Sequence, residues 1–454
     1  MTAADLRPRL IVGLGATGAS VARWLTQAGL PFAVTDSRAN PPGLDAIGDV
    51  PRALGALASP LPLTELAEAI VSPGVALTEP LVQALRAAGV PIVGDVELFA
   101  RAFRALPRGA DGYPLAVGIT GSNGKSTVTA LVGAIAEAAG LRVAVGGNFG
   151  TPALDLLDPA VQLYVLELSS FQLETTDCLP LRAATMLNVS QDHLDRHGTM
   201  SAYTAAKARV YAHAEVAVIN RDDAATRTGA DAAARVVSFG LGAPEDEQYG
   251  LIEHEGERWA AYGATPLFPV SSLKIEGAHN AANALAAFAL ARAAGLGETA
   301  IFKGLYAFPG LAHRCEWVAD LDGVSWINDS KGTNVGASLA ALQGLTGPLV
   351  WLGGGQGKGQ DFTPLRAPLK DKARLAVLFG VDAAQIETAL AGVVPVRRVA
   401  DLDEAVAVAR ASAQHGDRVL LSPACASLDQ FKNYEARGAR FRELVRALTP
   451  EATA

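Results

Sequence analysis

The chain has 454 residues, of which 50% are hydrophobic, and its formal net charge is −8 with a pI of about 5.5. An acidic chain without a basic cluster argues against a nucleic-acid-binding protein. Cys178, Cys315 and Cys425 are far apart and form no CxxC pair. This spacing argues against a disulfide framework or a zinc site and favours a reducing compartment.

Length and hydropathy set the scale of the fold. At about 100–200 residues per domain, about two to four domains are expected. The apolar run near the N-terminus is too short for a signal peptide, and no stretch reaches the roughly 18 uncharged apolar residues of a membrane span. These features predict a soluble, cytoplasmic protein that acts on small molecules, and we expect it to be a monomer.

Residues 9–18, RLIVGLGATG, predict a buried strand that runs into the glycine loop Gly13-x-Gly15-x-x-Gly18 and then a helix. A second strand, FAVTD, ends in Asp36, at the distance typical of a Rossmann-type unit. Because the loop amides can hold any pyrophosphate, NAD and a UDP-sugar are both candidate ligands. Alternatively, the glycines only permit close helix–strand packing. The αβ alternation that follows predicts a parallel sheet.

A second glycine-rich loop lies in GITGSNGKST, residues 118–127, between a β-prone run and a helical pattern. Gly121 and Gly124 let the backbone turn N–H groups toward an anion, Lys125 supplies a cation, and Ser126 supplies a hydroxyl for Mg²⁺. Ile119 stands where a strict P-loop has its first glycine, so the loop is a variant. We predict an ATP site here.

Polar residues follow the next strands. Glu167 ends the apolar part of LYVLELSSFQLE, where an acid commonly holds Mg²⁺, although a salt-bridged strand-end acid is the alternative. The polar cluster DHLD, residues 192–195, also follows a strand, where a simple turn would fit as well. Lys207 lies in a helical segment and, taken alone, is more typical of a solvated or snorkelling lysine than of a site.

A long alanine-rich helix is predicted to start at AHNAANALAA. Asn280 and Asn283 share one of its faces, and N-capping would explain one asparagine but not both together with His279. Segments rich in Pro, Gly and charge near residues 110 and 310 predict three domains, 1–110, 111–310 and 311–454.

The last domain repeats the αβ alternation. Three of its strands run into polar loops, which are NDSKGTN, GGGQGKGQDF and CASLDQFKNYEARG. An open α/β sheet places its ligand at such carboxyl ends. The predicted fold class is therefore α/β, with an N-terminal Rossmann-like domain, a central P-loop mononucleotide-binding domain and a C-terminal Rossmann-like domain.

These motifs in this order, with the pair His313-Arg314, resemble the Mur ligases over essentially the whole chain. The Mur ligases are the ATP-dependent amino-acid-adding enzymes of peptidoglycan synthesis. The phosphate loop and the His-Asn helix are shared with folylpolyglutamate synthases, whereas GLGATG, DSKGTN and SPACASLDQFKNYEARG point to the D-glutamate-adding type. The resemblance implies addition of D-glutamate to UDP-N-acetylmuramoyl-L-alanine through an acyl phosphate, with release of ADP and phosphate. That reaction would serve cell wall biogenesis, cell shape and cell division.

The resemblance also implies binding roles. The first domain would hold the UDP-substrate rather than NAD, and the central domain would add contacts to its muramoyl-alanine part; the residues are Gly15, Ala16, Thr17, Asp36, Ser37, Arg38, Gly74, Asn148 and Ser169. ATP would be bound by Gly121, Ser122, Asn123, Gly124, Lys125, Ser126, Thr127, Asn280, Asn283, Arg314 and Asp329. D-Glutamate would be bound by Lys331, Thr333, Lys358, Ser427, Leu428 and Tyr434.

The catalytic residues implied by the resemblance are Lys125, Glu167, His193 and Lys207. Ser126, Glu167 and His193 would hold two Mg²⁺ ions. Lys207 corresponds to the lysine that the family carbamylates, which turns a cation into a carboxylate-like group. Both reaction partners are anionic, so Mg²⁺ and Lys125 would offset charge that keeps them apart.

Three alternatives stay open at this point. An NAD-dependent oxidoreductase would explain GLGATG and Asp36 but not the phosphate loop, Glu167 or the third domain. A folylpolyglutamate-type amide ligase would share the last two domains but would start close to the phosphate loop. A non-catalytic nucleotide-binding regulator would not need Lys358 or the SPACASLDQF loop.

Overall fold

The computed structural model describes residues 7–109, 112–275 and 277–448. The described chain divides into two compact units, each built on parallel-dominated sheets. The first comprises the residues through Ser272 together with Asn283–Ala307, and the second comprises Leu273–Ala282 and the residues from Phe308 onward. Within the described ranges, no helix has the length and apolar character needed to cross a membrane.

The first sheet has five strands, and its elements are β1 (Arg9–Val12), α1 (Ala16–Gln27), β2 (Phe32–Asp36), β3 (Arg52–Leu54), β4 (Ala69–Val71), α2 (Pro80–Ala87), β5 (Ile92–Val93) and α3 (Asp95–Ala105). The strand order is β3-β2-β1-β4-β5, and every pairing is parallel. The central strand β1 is fully buried, as its apolar sequence RLIV predicts. The predicted parallel sheet is confirmed.

The second sheet has nine strands, which are β6 (Leu115–Thr120), β7 (Val143–Gly147), β8 (Leu163–Glu167), β9 (Leu181–Met186), β10 (Ala214–Asn220), β11 (Arg235–Phe239), β12 (Gln248–His254), β13 (Glu257–Tyr262) and β14 (Thr265–Pro269). Their order is β14-β13-β12-β11-β10-β9-β6-β8-β7. The helices are α4 (Lys125–Ala138), α5 (Ser170–Leu173), α6 (Leu194–His197), α7 (Met200–Ala208), α8 (Ala278–Ala293) and α9 (Glu298–Ala307).

Strand β6, which leads into the phosphate loop, lies between β8 and β9. The pairings are parallel from β7 through β12, whereas β12–β13 and β13–β14 are antiparallel. The αβ pattern did not predict this antiparallel edge. The tight turn at Glu255-Gly256, with positive φ at both residues, is the local signal for it.

The first two sheets share one hydrophobic core. Phe99 and Phe103 of α3 pack on Tyr164 of β8, with ring centroids 5.3 and 5.5 Å from it. The Glu97 carboxylate accepts the backbone N–H groups of Asp177 and Cys178, at 2.7 and 3.0 Å. Helix α3 therefore fixes the N-terminal sheet against the central one through both apolar and charge-assisted contacts.

Asp95, at the start of α3, gives this junction a pH dependence. The carboxyl group is buried beside Gln172, and burial raises its pKa from 3.8 to about 6. The folded state therefore binds the proton more tightly than the unfolded chain, so stability falls as the pH rises from about 4 to above 6. We expect Asp95→Asn to raise the free energy of unfolding by about 1–3 kcal/mol at pH 8 and by little at pH 4. Urea unfolding at both pH values measures this; equal effects at pH 4 and 8 would contradict it.

The third sheet contains β15 (Glu316–Leu321), β16 (Val324–Asn328), β17 (Leu349–Gly354), β18 (Ala373–Phe379), β19 (Val396–Arg398) and β20 (Arg418–Leu421). Its order is β15-β16-β20-β17-β18-β19, and only the edge pair β15–β16 is antiparallel among the described pairings. The helices are α10 (Val335–Gly344), α11 (Arg366–Lys372), α12 (Ala383–Leu390), α13 (Leu402–Ser412) and α14 (Tyr434–Ala447). Trp351 and Trp326 lie in apolar cores formed by different residue clusters.

Candidate active site

The loop between β6 and α4 has the form of a phosphate-binding loop. Gly121 and Gly124 have φ of 149° and 84°, in the region that favours glycine, and Gly124 is the N-cap of α4. A Cβ on Gly124 would lie 2.5 Å from the Asn283 side-chain oxygen, so this position also excludes a larger residue by contact. Helix α4 thus begins at a glycine, where backbone N–H groups can approach an anion closely.

Lys125 folds back over this loop. Its Nζ donates to the carbonyl oxygens of Gly121 and Ser122, both at 2.9 Å. A lysine held at the mouth of the loop by carbonyl oxygens is a cation that can exchange these contacts for phosphate oxygens. The structure thus brings together the loop residues that the sequence predicted for ATP.

A second loop, after β9, supports the phosphate loop. Asn188 accepts the backbone N–H of Asn123 at 2.9 Å and donates to its carbonyl at 3.0 Å. Ser122 Oγ accepts the backbone N–H of Ser190 at 3.0 Å. Sequence reasoning missed Asn188 and Ser190. Their position directly after a strand neighbouring β6 was the available signal.

Ser126, in the first turn of α4, and Glu167, at the carboxyl end of β8, form a buried pair. Ser126 Oγ donates to Glu167 Oε2 at 2.5 Å, and the side chains are 1% and 3% exposed by residue. Asn148 Nδ2 donates to Glu167 Oε1 at 2.8 Å. Two neutral side chains, those of Ser126 and Asn148, therefore donate to this carboxylate at the end of the strand.

The same pair is chemically suited to Mg²⁺. A carboxylate and a hydroxyl are hard oxygen donors. Over the described ranges, no group of three or more His, Cys, Asp or Glu side chains gathers in a way that could hold a metal ion. At nucleotide sites Mg²⁺ commonly binds one or two protein carboxylates together with phosphate oxygens and water.

Lys207 is buried, contrary to the prediction from sequence alone that it is solvated. It is 2% exposed, its Nζ donates to the Gly121 carbonyl at 2.9 Å, and it lies 4.5 Å from the centroid of the Tyr203 ring. Burial, and next the charge of Lys125, lower its pKa well below the ordinary value. This lysine is a constituent of the phosphate-loop region, and its amine is poised toward the neutral form.

Tyr203 connects several of these groups. Its hydroxyl is 3.2 Å from Ser122 Oγ, and its ring lies one helical turn from Lys207 on α7. His193, in the left-handed conformation with φ of 53°, has its ring centroid 6.3 Å from the Tyr203 ring and 4.9 Å from the Phe171 ring. Its Nε2 lies 3.5 Å from Asp192 Oδ2. Sequence reasoning missed Tyr203, although the i, i+4 spacing to Lys207 was available.

Asn280 and Asn283 lie inside the first two turns of α8, which begins at Ala278. Neither is an N-cap, so that alternative is wrong. Both are buried, at 7% and 8% exposure. Asn283 is the one whose side chain lies beside Gly124.

The first glycine loop is shaped by close contacts. A Cβ on Gly18 would clash with the Gly13 carbonyl, and Gly13 itself has φ of 93° and receives the Ser72 hydroxyl on its carbonyl at 2.7 Å. Gly15 is the N-cap of α1, Ala16 and Thr17 form its first turn, and Gly74 lies in the turn after β4. The packing role of these glycines is real and is compatible with a pyrophosphate site.

Asp36 closes this loop from the end of β2. Its Oδ2 accepts the backbone N–H of Leu14 at 2.7 Å, and both oxygens accept from the Arg38 guanidinium at 2.8 Å. The Arg38 hydrogen bonds hold the pKa of Asp36 down to about 2. A carboxylate already engaged in this way is a poor acceptor for a ribose hydroxyl, which weakens the NAD alternative. Ser37 stands between Asp36 and Arg38 in the chain.

Ser169 has a structural contact of its own. It is the N-cap of α5, where its hydroxyl accepts the backbone N–H of Gln172 at 3.2 Å and the two side chains form a capping box. Nearby, Arg196 lies over the Phe171 ring and donates to the Pro73 carbonyl at 3.5 Å. Arg196 therefore ties the central sheet to the turn that carries Gly74, a link that the sequence did not predict.

In the second unit, Asp329 follows β16 and is buried. Its carboxylate accepts from Ser422 Oγ at 2.6 Å and from the Cys315 backbone N–H at 3.2 Å. Burial raises its pKa to about 6, against the lowering effect of these hydrogen bonds and of the Arg314 charge. Ser422 Oγ lies 2.9 Å from Ser338 Oγ, which in turn accepts the Ala424 backbone N–H at 2.9 Å. This chain of hydroxyls joins the loops after β16 and β20.

The residues predicted to bind an amino acid lie on the loops after β16, β17 and β20 and at the start of α14. Lys331 Nζ is 3.9 Å from the centroid of the Tyr434 ring, and the Thr333 backbone N–H donates to the Lys331 carbonyl at 2.7 Å. Ser427 is buried, whereas Leu428 is 63% exposed. Lys358, after β17, has φ of 54°. Five of the six therefore lie on loops that follow the carboxyl ends of strands, and Tyr434 begins α14.

Arg437 is the residue of α14 that fixes these loops, and sequence reasoning missed it. It is fully buried and donates to the Ser330 hydroxyl and carbonyl, at 3.0 and 2.8 Å, and to the Cys425 carbonyl at 3.1 Å through both Nη atoms. One guanidinium thus holds two of the three predicted ligand loops in register. The sequence analysis placed Arg437 in the polar loop CASLDQFKNYEARG, whereas the structure places it in α14, and an arginine in a polar segment gave no signal that it would be buried.

We expect Arg437→Lys to misplace both loops, because an ammonium cannot reproduce the planar set of donors. Loss of two or more hydrogen bonds to buried carbonyls should lower the free energy of unfolding by about 2–4 kcal/mol. Urea unfolding measures this, with the exposed Arg446→Lys on the same helix as the matched control. Equal stability of the two variants would contradict the role of Arg437.

Comparison with known proteins gives three family matches that together span most of the chain. Residues 7–94 match the Mur ligase MurD-like N-terminal domain, residues 119–291 the Mur ligase middle domain, and residues 313–425 the Mur ligase glutamate ligase domain. A similar protein of Pseudomonas aeruginosa is 52% identical, over 97% of this chain and 98% of the relative. Another, of Nitrosococcus oceani, is 50% identical, over 97% of this chain and 96% of the relative. Both bear the name UDP-N-acetylmuramoylalanine--D-glutamate ligase.

Solved structures of low sequence identity share the fold. The UDP-N-acetylmuramate-alanine ligase of Thermotoga maritima superposes with a TM-score of 0.62 at 19% identity, covering 97% of this chain and all of that one. FolC of E. coli superposes with a TM-score of 0.58 at 18% identity, covering 78% and 93% of the two chains.

Proposed function

The chain belongs to the Mur ligase family, and from this premise we propose that it is an ATP-dependent ligase that joins D-glutamate to UDP-N-acetylmuramoyl-L-alanine in peptidoglycan precursor synthesis. The observation that carries the proposal is identity of about 50% over nearly the full length to proteins named for that reaction. The phosphate loop with its Ser126–Glu167 pair supplies the matching chemistry.

The reaction consumes ATP because a carboxylate does not form an amide with an amine unaided. The γ-phosphoryl group of ATP passes to the carboxylate of the alanyl residue, which gives an acyl phosphate and ADP. The neutral amine of D-glutamate then attacks the acyl carbon. The tetrahedral adduct releases the amine proton to solvent and expels phosphate, which leaves the amide. Atoms and charge balance without a further co-reactant.

The phosphate loop would hold the triphosphate. Backbone N–H groups at the N-terminus of α4, from Gly124 to Thr127, would donate to its oxygens, and Lys125 would exchange its two carbonyl contacts for phosphate oxygens. We assign Asn280 and Asn283 to the same nucleotide, since Asn283 already lies beside Gly124.

We propose that two Mg²⁺ ions bind here and would offset the negative charge of the phosphates and the carboxylate. The residues proposed to hold them are Ser126, Glu167, His193 and a carbamylated Lys207. Carbamylation joins the lysine nitrogen to the carbon of CO₂, with loss of one proton from the nitrogen. The burial of Lys207 and its nearness to Lys125 support this. An ammonium group on Lys207 would repel the positive charge of Lys125, whereas a negatively charged carbamate would attract it.

The remaining binding roles follow the family correspondence. We assign the UDP-substrate to the loop at Gly15–Thr17, to Asp36–Arg38 and to Gly74, with Asn148 and Ser169 on its muramoyl-alanine part. D-Glutamate has two carboxylates, which suits two lysines; its proposed residues are Lys331, Thr333, Lys358, Ser427, Leu428 and Tyr434. Arg314 and Asp329 are proposed to contact the nucleotide.

We also propose domains at 1–110, 111–310 and 311–454, each carrying one of the three sheets. The reaction would take place in the cytoplasm, where ATP and a UDP-linked precursor are both available. A single chain supplies all the proposed residues, so we propose a monomer.

The experiment that tests the function is phosphate release from ATP and Mg²⁺ with UDP-N-acetylmuramoyl-L-alanine. D-Glutamate, L-glutamate, L-lysine and L-alanine are compared as acceptors. Release with D-glutamate alone is expected. Release only with another amino acid would keep an amide ligase and overturn its substrate, and no release with any of them would overturn the proposal.

A further inference from the structure

A cavity of about 440 Å³ lies within the first unit, away from the phosphate loop. It is lined by the first residues of β10 and β11, by the antiparallel edge β12–β14, and by the end of α8 with the start of α9. Strands β6, β9, β10 and β11 are parallel, so their amino ends lie at the edge of the sheet opposite the phosphate loop. Its volume falls within the ~300–1,000 Å³ typical of small-molecule sites.

Part of the lining is aromatic and apolar. The Tyr249 ring lies 4.7 Å from the Tyr262 ring and 5.7 Å from the Phe288 ring, measured between centroids. Val237 and Leu296, both buried, add aliphatic surface. This combination suits a flat apolar body that stacks on one ring and excludes water from it.

The rest of the lining is charged, with a surplus of positive charge. The charged side chains are Arg235, Arg292 and Glu298, and Arg292 Nη1 lies 3.2 Å from Glu298 Oε1. The charge of Arg292 acts on the Tyr249 hydroxyl, and burial raises the pKa of Tyr249 to about 12, so that hydroxyl keeps its proton as a donor. Two guanidinium groups and a phenol O–H beside apolar surface are donors suited to an anion.

We propose that this cavity is a binding site for a small monoanion with an aromatic or similarly flat apolar body, of the aromatic carboxylate class. Its anionic group contacts Arg235 and Arg292, and its apolar body lies against Tyr249 and Phe288. The proposed ligase reaction uses none of these residues, so the site is independent of that assignment.

The test uses three probes with the full chain, observed by saturation-transfer NMR and isothermal titration calorimetry. 2-Naphthoate carries both the anion and the ring, 2-naphthalenemethanol carries the ring alone, and inorganic phosphate carries the charge alone. We expect 2-naphthoate to bind at least about tenfold more tightly than the alcohol, since charge-assisted hydrogen bonds contribute that much. Binding should persist with a saturating non-hydrolysable ATP analogue present.

Variants locate the binding. Arg235→Gln and Arg292→Gln should each weaken 2-naphthoate by roughly tenfold and leave the alcohol unchanged. Ala293→Phe fills the cavity and should abolish the binding of 2-naphthoate and of the alcohol. Thermal unfolding and ATP turnover show whether this variant is folded. The exposed Arg258→Gln, outside the cavity lining, is the matched control. Any one of four results would overturn the proposal. These are no binding of 2-naphthoate, equal binding of the alcohol, competition by the ATP analogue, and unchanged affinity in the arginine variants.

Discussion

Replacing Lys207 by alanine is expected to lower substrate-dependent phosphate release by at least about two orders of magnitude. The lysine is almost fully buried, and its Nζ contacts the Gly121 carbonyl of the phosphate loop. If its nitrogen carries a carbamate, the variant loses an anionic oxygen donor at the point where the proposed reaction needs Mg²⁺. The measurement is turnover with ATP, Mg²⁺, UDP-N-acetylmuramoyl-L-alanine and D-glutamate.

The control separates the carbamate from simple packing. Lys303→Ala changes an exposed lysine on α9 of the same unit and should leave turnover unchanged. Carbon-13 NMR of the wild-type protein in ¹³C-bicarbonate should show a carbamate resonance that is absent from Lys207→Ala and present in Lys303→Ala. Wild-type turnover in Lys207→Ala, or an identical carbon spectrum, would exclude the proposed role.

Lys207 also shows where sequence reasoning reaches its limit. The spacing of small and apolar residues around it predicted a helix, and α7 is a helix. Exposure could not be predicted in the same way, because it depends on Tyr203 and on a loop 86 residues earlier in the chain. Long-range contacts of this kind are set by topology and leave no periodic signal.

The phosphate loop, in contrast, could be predicted from the local sequence. A strand, glycines at the turns and a cation at the helix start are local requirements, so GITGSNGKST was sufficient to predict its geometry. Glu167 was also predictable, because it lies at the carboxyl end of a strand adjacent to β6. In contrast, the contacts of Asn188 with that loop arise from β9 lying on the other side of β6, which required the strand order.

The second unit illustrates the same limit for buried charge. The polar loops after its strands were recognisable from turn residues and from position. Arg437 was not, because arginine is seldom fully buried and the carbonyls that satisfy it belong to Ser330 and Cys425 in two separate loops. Sequence predicted which loops gather at the sheet edge, and the structure shows what holds them there.

Replacing Glu167 by glutamine tests the proposed metal role with little change in shape. The amide retains an oxygen that can accept from Asn148 Nδ2, and it removes a charge from a site that is 3% exposed. Burial penalises the ionised carboxylate, and the neutral amide avoids that cost, so the variant should be at least as stable as the wild type. We expect turnover to fall by about 10²–10³-fold and the half-saturating Mg²⁺ concentration to rise by about 10–100-fold.

Stability and metal dependence are therefore expected to move in opposite directions, which a merely structural role for Glu167 would not produce. Thermal unfolding without nucleotide and a Mg²⁺ titration of phosphate release measure the two. Glu137→Gln removes the same charge from the exposed face of α4 and should change neither. A Glu167→Gln protein that unfolds earlier while keeping the wild-type Mg²⁺ dependence would make this carboxylate a structural group. The metal would then have to be held by other oxygen donors near the phosphate loop.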